Sequence, residues 1–399
     1  VTPDVTPVTD AICDFWRTVK DTPNPTPTAH QPIPFVDLKA QYQALKPDID
    51  AAIQAVIDES AFIRGRFVTA FETQFAQAYG VKHCISTGNG TDALYIVMKM
   101  LGIGPGDEVI TTANSWIASS ETVTQTGARV VFVDIEPHSF NLDPDKVEAA
   151  ITPRTKAVIA VHLLGQPAQI DQIKRLCDTH GLYLIEDCAQ AHFAEFGGRR
   201  VGTFGVAATF SFYPGKNLGA YGDAGAIVTS DDDLADKCRS YARHGASLKD
   251  KHDHLMEGIN SRMDGLQAAV LSVKLPHVFD WNQKRAMAAA HYGELLRRVP
   301  GIIELPQARP DATHIYHVYC IRVKDREAVN ARLNAAGIGT SIHYPIPLPF
   351  LKAYRYLEHE PSDFPLVWRN HTEILSLPIY PEITLEQQQR VASVLAQSG

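Results

Sequence analysis

The chain reads as an α/β protein, a large domain built on a mostly parallel sheet followed by a smaller C-terminal α+β domain. Three observations support this. Between residues 82 and 186, short apolar runs alternate with helix-length segments. Those runs are continuously apolar, the pattern of strands covered by helices on both faces. At 399 residues the chain is also long enough for two cores.

Taken in order, residues 1–33 are rich in Pro and Thr, as in Asp21-Thr22-Pro23-Asn24-Pro25-Thr26-Pro27. Such a segment buries little apolar surface and is expected to be a flexible extension. Leu45, Ile49, Ile53, Val56 and Ile57 recur at helical spacing and predict a helix over 44–59. Strands are predicted at 82–86, 108–111, 129–133, 156–161 and 182–186, with helices at 92–101, 118–125 and 170–179. Parallel strands need crossovers, and these helices supply them. Strands at 208–212 and 224–229 follow, split by a Gly-rich turn. Helices are then predicted at 233–243 and 264–297, the second interrupted by Pro276. A strand at 316–323 and helices at 326–336 and 385–396 complete the chain. The expected domains are 34–270, the large ligand-binding one, and 271–399, the small one.

Composition narrows the function classes. There are 37 Lys+Arg against 45 Asp+Glu, a net charge of −8, with no long basic run. Nucleic acid is therefore not an expected partner. No stretch approaches the roughly 20 apolar residues of a membrane span. The N-terminus lacks the charged-then-apolar pattern of a signal peptide. None of the six cysteines forms a CxxC pair, and several sit in apolar runs, as buried thiols do in a reducing cytoplasm. No His/Cys/Asp cluster has metal-ligand spacing, so no metal is expected.

Four segments carry chemistry. In Ser211-Phe212-Tyr213-Pro214-Gly215-Lys216, a lysine follows a buried strand and a sharp turn. An amine at the carboxyl end of an α/β sheet lies where ligands bind, and desolvation keeps it nucleophilic toward an aldehyde. A solvated loop lysine is the alternative. Asp187 ends the apolar run Leu184-Ile185-Glu186. An acid there can pair with a protonated ring nitrogen, or merely cap a helix. Gln190, three residues on, can reach a ring hydroxyl. Ser86-Thr87-Gly88-Asn89-Gly90-Thr91-Asp92 runs from strand through a Gly-rich turn into a helix, a geometry that gathers N–H groups around an anion. An ordinary capped turn is the alternative. Trp116 follows another strand and can stack on a flat ring, although core packing is the commoner fate of a tryptophan. Together these supply a phosphate cradle, a stacking aromatic, an acid for a ring nitrogen and a Schiff-base lysine, the parts that a pyridoxal-phosphate (PLP) enzyme requires.

From Phe35 to near Pro378 the sequence resembles the DegT/DnrJ/EryC1/StrS family of nucleotide-sugar aminotransferases. The resemblance rests on Gly90-Thr91-Asp92-Ala93-Leu94, Gly104-Pro105-Gly106-Asp107-Glu108-Val109, the stretch from Glu186-Asp187 to Ala191, and Ser211 through Gly225. Ala242-Arg243-His244-Gly245, Asn260-Ser261-Arg262-Met263-Asp264 and His343-Tyr344-Pro345 extend it. It implies the aspartate-aminotransferase fold, fold-type I of PLP enzymes, in a homodimer with active sites at the interface. By the same resemblance Lys216 is the Schiff-base lysine and catalytic base, Asp187 pairs with the pyridine nitrogen and Gln190 contacts the ring hydroxyl. Trp116 stacks on the ring, and Gly90, Thr91 and Ser211 hold the phosphate. Asn260 reaches the phosphate from the partner subunit. Arg262, His343 and Tyr344 lie near the glutamate carboxylates or the sugar nucleotide. The implied reaction moves an amino group from L-glutamate, through pyridoxamine phosphate, to a nucleotide-linked ketosugar, giving a deoxyamino sugar for a polysaccharide or another product. Two alternatives stand beside it. A sugar dehydratase on the same scaffold carries histidine where Lys216 stands. A non-catalytic regulatory homologue would not need Lys216 and Asp187 intact.

Overall fold

The computed structural model describes residues 31–397. The expected flexible extension lies almost wholly outside the described residues. Its end is included: Ile33 is buried and pairs in parallel with Ile338.

The chain opens with helix α1 (Leu38–Asp58), capped by the Asp37 carboxylate, which accepts from Ala40 N at 2.8 Å. It starts six residues before the expected helix and carries Pro47 inside. Helix α2 (Arg66–Tyr79) was not expected from the sequence. It lies between Gly65 and Gly80 and buries Phe71, Phe75 and Tyr79. These rings, at i, i+4 and i+8, pack edge-on and tilted against Phe193, Phe210 and Phe212 beneath the sheet.

A seven-stranded sheet follows, with β1 (His83–Thr87), β2 (Glu108–Thr112), β3 (Arg129–Val133), β4 (Thr155–Val161) and β5 (Tyr183–Asp187). A two-stranded hairpin, β6 (Glu195–Phe196) and β7 (Arg199–Arg200), stands apart from it. The sheet is completed by β8 (Ala207–Ser211) and β9 (Gly225–Thr229), in the spatial order β1-β9-β8-β5-β4-β2-β3. β9 is antiparallel to both neighbours, and every other pairing is parallel. β2, β4 and β9 are buried almost throughout, which explains the apolar runs Ala157–Val161 of β4 and Ala226–Val228 of β9. Helices α3 (Gly90–Met100), α4 (Ala118–Gln125), α5 (Pro144–Ala150), α6 (Ile170–His180) and α7 (Asp232–Tyr241) connect or cover the strands.

The expected helix over 264–297 is two helices, α8 (Gly265–Lys274) and α9 (Val278–Leu296), joined by a 3₁₀ turn at Leu275–His277 that contains Pro276. Beyond them, β10 (Ile302–Glu304), β11 (Tyr319–Val323) and a strand at Ile374–Leu377 (β12, after helices α10, Arg326–Ala335, and α11, Pro365–Asn370) form a second, antiparallel sheet. Helix α12 (Leu385–Ala396) closes the chain. β11 begins three residues later than expected because Tyr316 takes a left-handed backbone (φ 47°), which a strand cannot accommodate. α9, β11, β12 and α12 share a core separate from those on the two faces of the large sheet. No described helix is long and apolar enough to cross a membrane.

Candidate active site

The carboxyl ends of β1, β2, β4, β5 and β8 converge on one rim, and the antiparallel β9 begins there. Gly225 lies opposite both Thr87 and Ser211 in the ladder. The turn from Thr87 into α3 sits on this row. A Cβ on Gly225 would fall 2.3 Å from the carbonyl carbon of Asn89, and one on Gly90 would fall 2.8 Å from Ser211 Cβ. Both positions therefore require glycine for the turn to lie flat on the rim. The Asn89 side chain caps α3 by accepting from Asp92 N at 2.8 Å. Gly88 N donates to Ser261 Oγ at 2.9 Å. The N–H groups of Gly90 and Thr91 have no acceptor among the described residues. Two free donors at the positive end of an eleven-residue helix form a seat for an anion.

Two residues below Ser211, Asp187 lies opposite Thr209. Asp187 is buried; its Oδ1 accepts from Ala189 N at 3.1 Å and its Oδ2 from Ser119 Oγ at 3.0 Å. Burial pushes its pKa up, against those hydrogen bonds and the charge of Lys216. Lys216 projects from the turn closed by its own N–H to Tyr213 O at 2.8 Å. Its surroundings pull the ammonium down to about 8, with Asp187 opposing. A half-buried amine poised there is a nucleophile and a proton carrier at neutral pH.

The far wall comes from residues distant in sequence. Gln190 Oε1 accepts from Leu164 N at 2.7 Å, and its Nε2 donates to the Tyr344 hydroxyl at 3.0 Å. The Gln190 amide is thus pinned at both ends, with one N–H left over. Trp116 stands 5.9 Å from the Tyr344 ring and is 60% exposed, so it is not a core tryptophan. His343 shares a 2.9 Å contact with Ser376 Oγ, and burial with the nearby Lys216 charge holds it down at about 4. Ser211, Asp187, Gln190, Lys216, Trp116, His343 and Tyr344 are thereby gathered around one cleft beside the Gly90–Thr91 turn. Asn260 and Arg262 are not gathered in the same way. Their segment touches the turn through Ser261, and neither side chain hydrogen-bonds or ion-pairs with a described residue.

Sequence reasoning missed several residues of this neighbourhood. Asn217, next to Lys216, donates to Asn282 Oδ1 at 2.8 Å and to Ile315 O at 3.2 Å. Its Oδ1 must then accept from His317 Nδ1, 3.1 Å away, which leaves His317 Nε2 unprotonated. Lys274, fully buried, donates to Gly219 O at 2.8 Å and so ties down the loop that follows Lys216. His192, buried beside Phe210 and Phe212, has no well-formed hydrogen bond at either ring nitrogen among the described residues, and burial pulls it down to about 3. Asn217 lies inside the Ser211–Gly225 stretch, whereas Lys274, His192 and His317 stand in no readable motif.

Donor atoms of His162, Glu186 and Cys188 lie within 4.8 Å of one another, the spacing of a small metal site. The lone pairs of His162 and Glu186 are otherwise engaged. Glu186 accepts from the backbone N–H of Gly202, Phe204 and Gly205 at 2.6, 2.7 and 2.7 Å. His162 Nδ1 accepts from Ala168 N at 3.0 Å, so its Nε2–H donates to Glu186 at 3.1 Å. Burial raises the Cys188 thiol further from ionisation. The cluster is a hydrogen-bonded brace behind Asp187.

A doubly covered, mostly parallel sheet with a lysine, an acid and an anion seat on its carboxyl rim is that of the fold-type I aminotransferases, the class with the aspartate-aminotransferase fold. Within that class the chain belongs to the DegT/DnrJ/EryC1/StrS aminotransferase family, which it matches over residues 43–396. It is 44% identical to a Geobacillus stearothermophilus protein named pleiotropic regulatory protein, over 92% of this chain and 98% of that one. It is also 44% identical to the UDP-2-acetamido-2-deoxy-3-oxo-D-glucuronate aminotransferase of Pseudomonas aeruginosa, over 88% of this chain and 95% of the other. The crystal structure of NtdA from Bacillus subtilis with bound cofactor PMP superposes with a TM-score of 0.85 at 33% identity, covering 93% of this chain and 86% of that one.

Proposed function

We propose that this protein is a PLP-dependent nucleotide-sugar aminotransferase, which transfers an amino group from L-glutamate to the keto group of a nucleotide-linked ketosugar. The observation that carries this reading is the Lys216 amine, lowered to about 8, facing buried Asp187 beside two free helix-end N–H groups. When bound, PLP supplies a cationic ring that accepts the electron pair left when the donor's α-carbon is deprotonated. The other tasks belong to the chain. The N–H groups of Gly90 and Thr91, with the Ser211 hydroxyl, would hold the phosphate. Asp187 would hold a proton on the ring nitrogen. Trp116 would cover one ring face, and the free N–H of Gln190 would meet the ring hydroxyl. Lys216 Nζ would carry the cofactor at rest and, once displaced, move the proton between donor and cofactor. His343, Tyr344 and Arg262 would border the substrates.

A homodimer with shared sites fits the remaining features. Phe62, Ile63, Trp116, Tyr213 and Leu255 are all exposed, and Asn260 is exposed with no side-chain hydrogen bond to a described residue. Asn260 would then complete the phosphate seat of the second subunit. The five cysteines among the described residues are buried and free, which suits a cytoplasmic location.

The regulatory reading is supported only by the names of relatives, such as that of the Geobacillus protein. An absorbance spectrum of the PLP-loaded protein, before and after L-glutamate alone, separates the two readings. Loss of the visible band, with growth of the pyridoxamine-phosphate band, establishes the donor half-reaction. A coloured protein indifferent to every amino donor would sink the aminotransferase reading, and release of a sugar hydroxyl without amine gain would favour the dehydratase.

A further inference from the structure

Ser119 stands on the first turn of α4 and is buried. Its hydroxyl has two neighbours, Asp187 Oδ2 at 3.0 Å and Ser115 Oγ at 2.8 Å. A serine has one proton to give. With Asp187 ionised, that proton goes to the carboxylate, so Ser115 must be the donor in the second contact. A directed chain therefore runs from Ser115 through Ser119 into Asp187. The other oxygen of Asp187 accepts from Ala189 N at 3.1 Å. Each oxygen thus has one fixed donor, which sets the plane of the carboxylate, and the Ser119 contact is the only one a side-chain change can remove.

We propose that Ser119, backed by Ser115, is a positioning residue that keeps Asp187 ionised and aimed, so that the site's preference for a protonated ring nitrogen depends on Ser119 as well as on Asp187. This rests on the assignment of Asp187 to the ring nitrogen. The physical need is specific. Burial alone drives Asp187 toward its neutral form, which could not stabilise a cationic ring. A hydroxyl donated to the carboxylate favours the charged form. Chained hydroxyls polarise one another and strengthen that effect in a dry site.

The test compares the binding of PLP with that of its deaza analogue, in which carbon replaces the ring nitrogen, to apo wild type and to Ser119→Ala, Ser119→Thr and Ser115→Ala. Wild type should hold PLP more tightly than the analogue. Ser119→Ala should shrink that preference roughly tenfold, the worth of one hydrogen bond to a charged group, while leaving analogue binding unchanged. Ser119→Thr should restore the preference. Ser115→Ala, which leaves Ser119 in place without its donor, should lose part of it, and supplies the test if Ser119→Ala does not fold. Removing the donor raises the Asp187 pKa, so acidification should abolish the preference at higher pH in Ser119→Ala than in wild type. Equal weakening of both ligands, or an unchanged preference in both Ser119→Ala and Ser115→Ala, would overturn the proposal. A wild type that does not distinguish the two ligands would instead remove the Asp187 assignment beneath it.

Discussion

Gly225→Ala tests the anion seat without touching a polar group. The added Cβ would stand 2.3 Å from the Asn89 carbonyl carbon, 2.4 Å from its oxygen and 2.7 Å from Gly90 N. All three are backbone atoms, so no side chain can swing aside. Ordinary contact needs roughly 3.5 Å, so the turn must lift by about 1 Å. Gly225 opens β9 and is paired on both sides, with Thr87 and Ser211, which restrains the strand from yielding instead. Two costs follow. Overpacking should destabilise the apo protein by about 1–3 kcal/mol. The Gly90 and Thr91 N–H groups should lose their aim at the phosphate. A hydrogen bond to a charged group is worth about 1.5–3 kcal/mol, so losing one should weaken PLP tenfold or more. Urea unfolding of the apo protein gives the first quantity, and fluorescence titration with PLP gives the second. Gly293→Ala serves as the control, because its Cβ meets nothing within 4 Å in the last turn of α9. A Gly225→Ala protein that binds PLP with wild-type affinity would refute the seat at Gly90–Thr91, whatever its stability.

Three further outcomes are expected. The rate at which apo protein takes up PLP should climb as pH rises through about 8 and level off above, because only the unprotonated Lys216 amine attacks an aldehyde; a rate rising steadily toward pH 10 would show an ordinary, exposed lysine. Glu186→Gln should cost about 2–4 kcal/mol in urea unfolding, since an amide nitrogen would be forced against N–H donors now 2.6–2.7 Å from the carboxylate; an unchanged midpoint would mean that the brace behind Asp187 is slack. If sites are shared, mixing inactive Lys216→Ala subunits with Asn260→Asp subunits should regain roughly a quarter of wild-type activity, through one intact site in each mixed dimer; no regain, in mixtures shown to exchange subunits, would place Asn260 in its own chain's site.

The legible parts of this protein are those whose physics is local. β4 is buried on both faces from Ala157 onward, so its side chains there are all apolar, and the run Val158-Ile159-Ala160-Val161 announces itself. Helix α2 was legible in principle, since Gly65 and Gly80 bracket Phe71, Phe75 and Tyr79 at helical spacing. β10 and β12, with three and four residues, are too short to show a period. The lysine, the acid and the Gly-rich turn could be found because each follows a strand directly and the rim of a parallel sheet collects such positions.

The residues that tune them are of another kind. Ser119 is 68 positions from Asp187, and His317 is 100 from Asn217. Ser119 lies in an eight-residue helix that is polar over much of its length, where a serine suggests nothing beyond a solvent face. It reaches Asp187 because β2 and β5 flank β4, which brings the start of α4 over the end of β5. His317 reaches the lysine loop because Ile315 N bonds to Gly165 O at 2.9 Å, anchoring a distant segment beside the end of β4. A group that forms bonds with substrate must be a rare residue type at an exposed rim. A group that only orients it can be any hydroxyl or ring that the fold delivers within 3 Å, so its identity is set by the strand order and not by its neighbours in sequence.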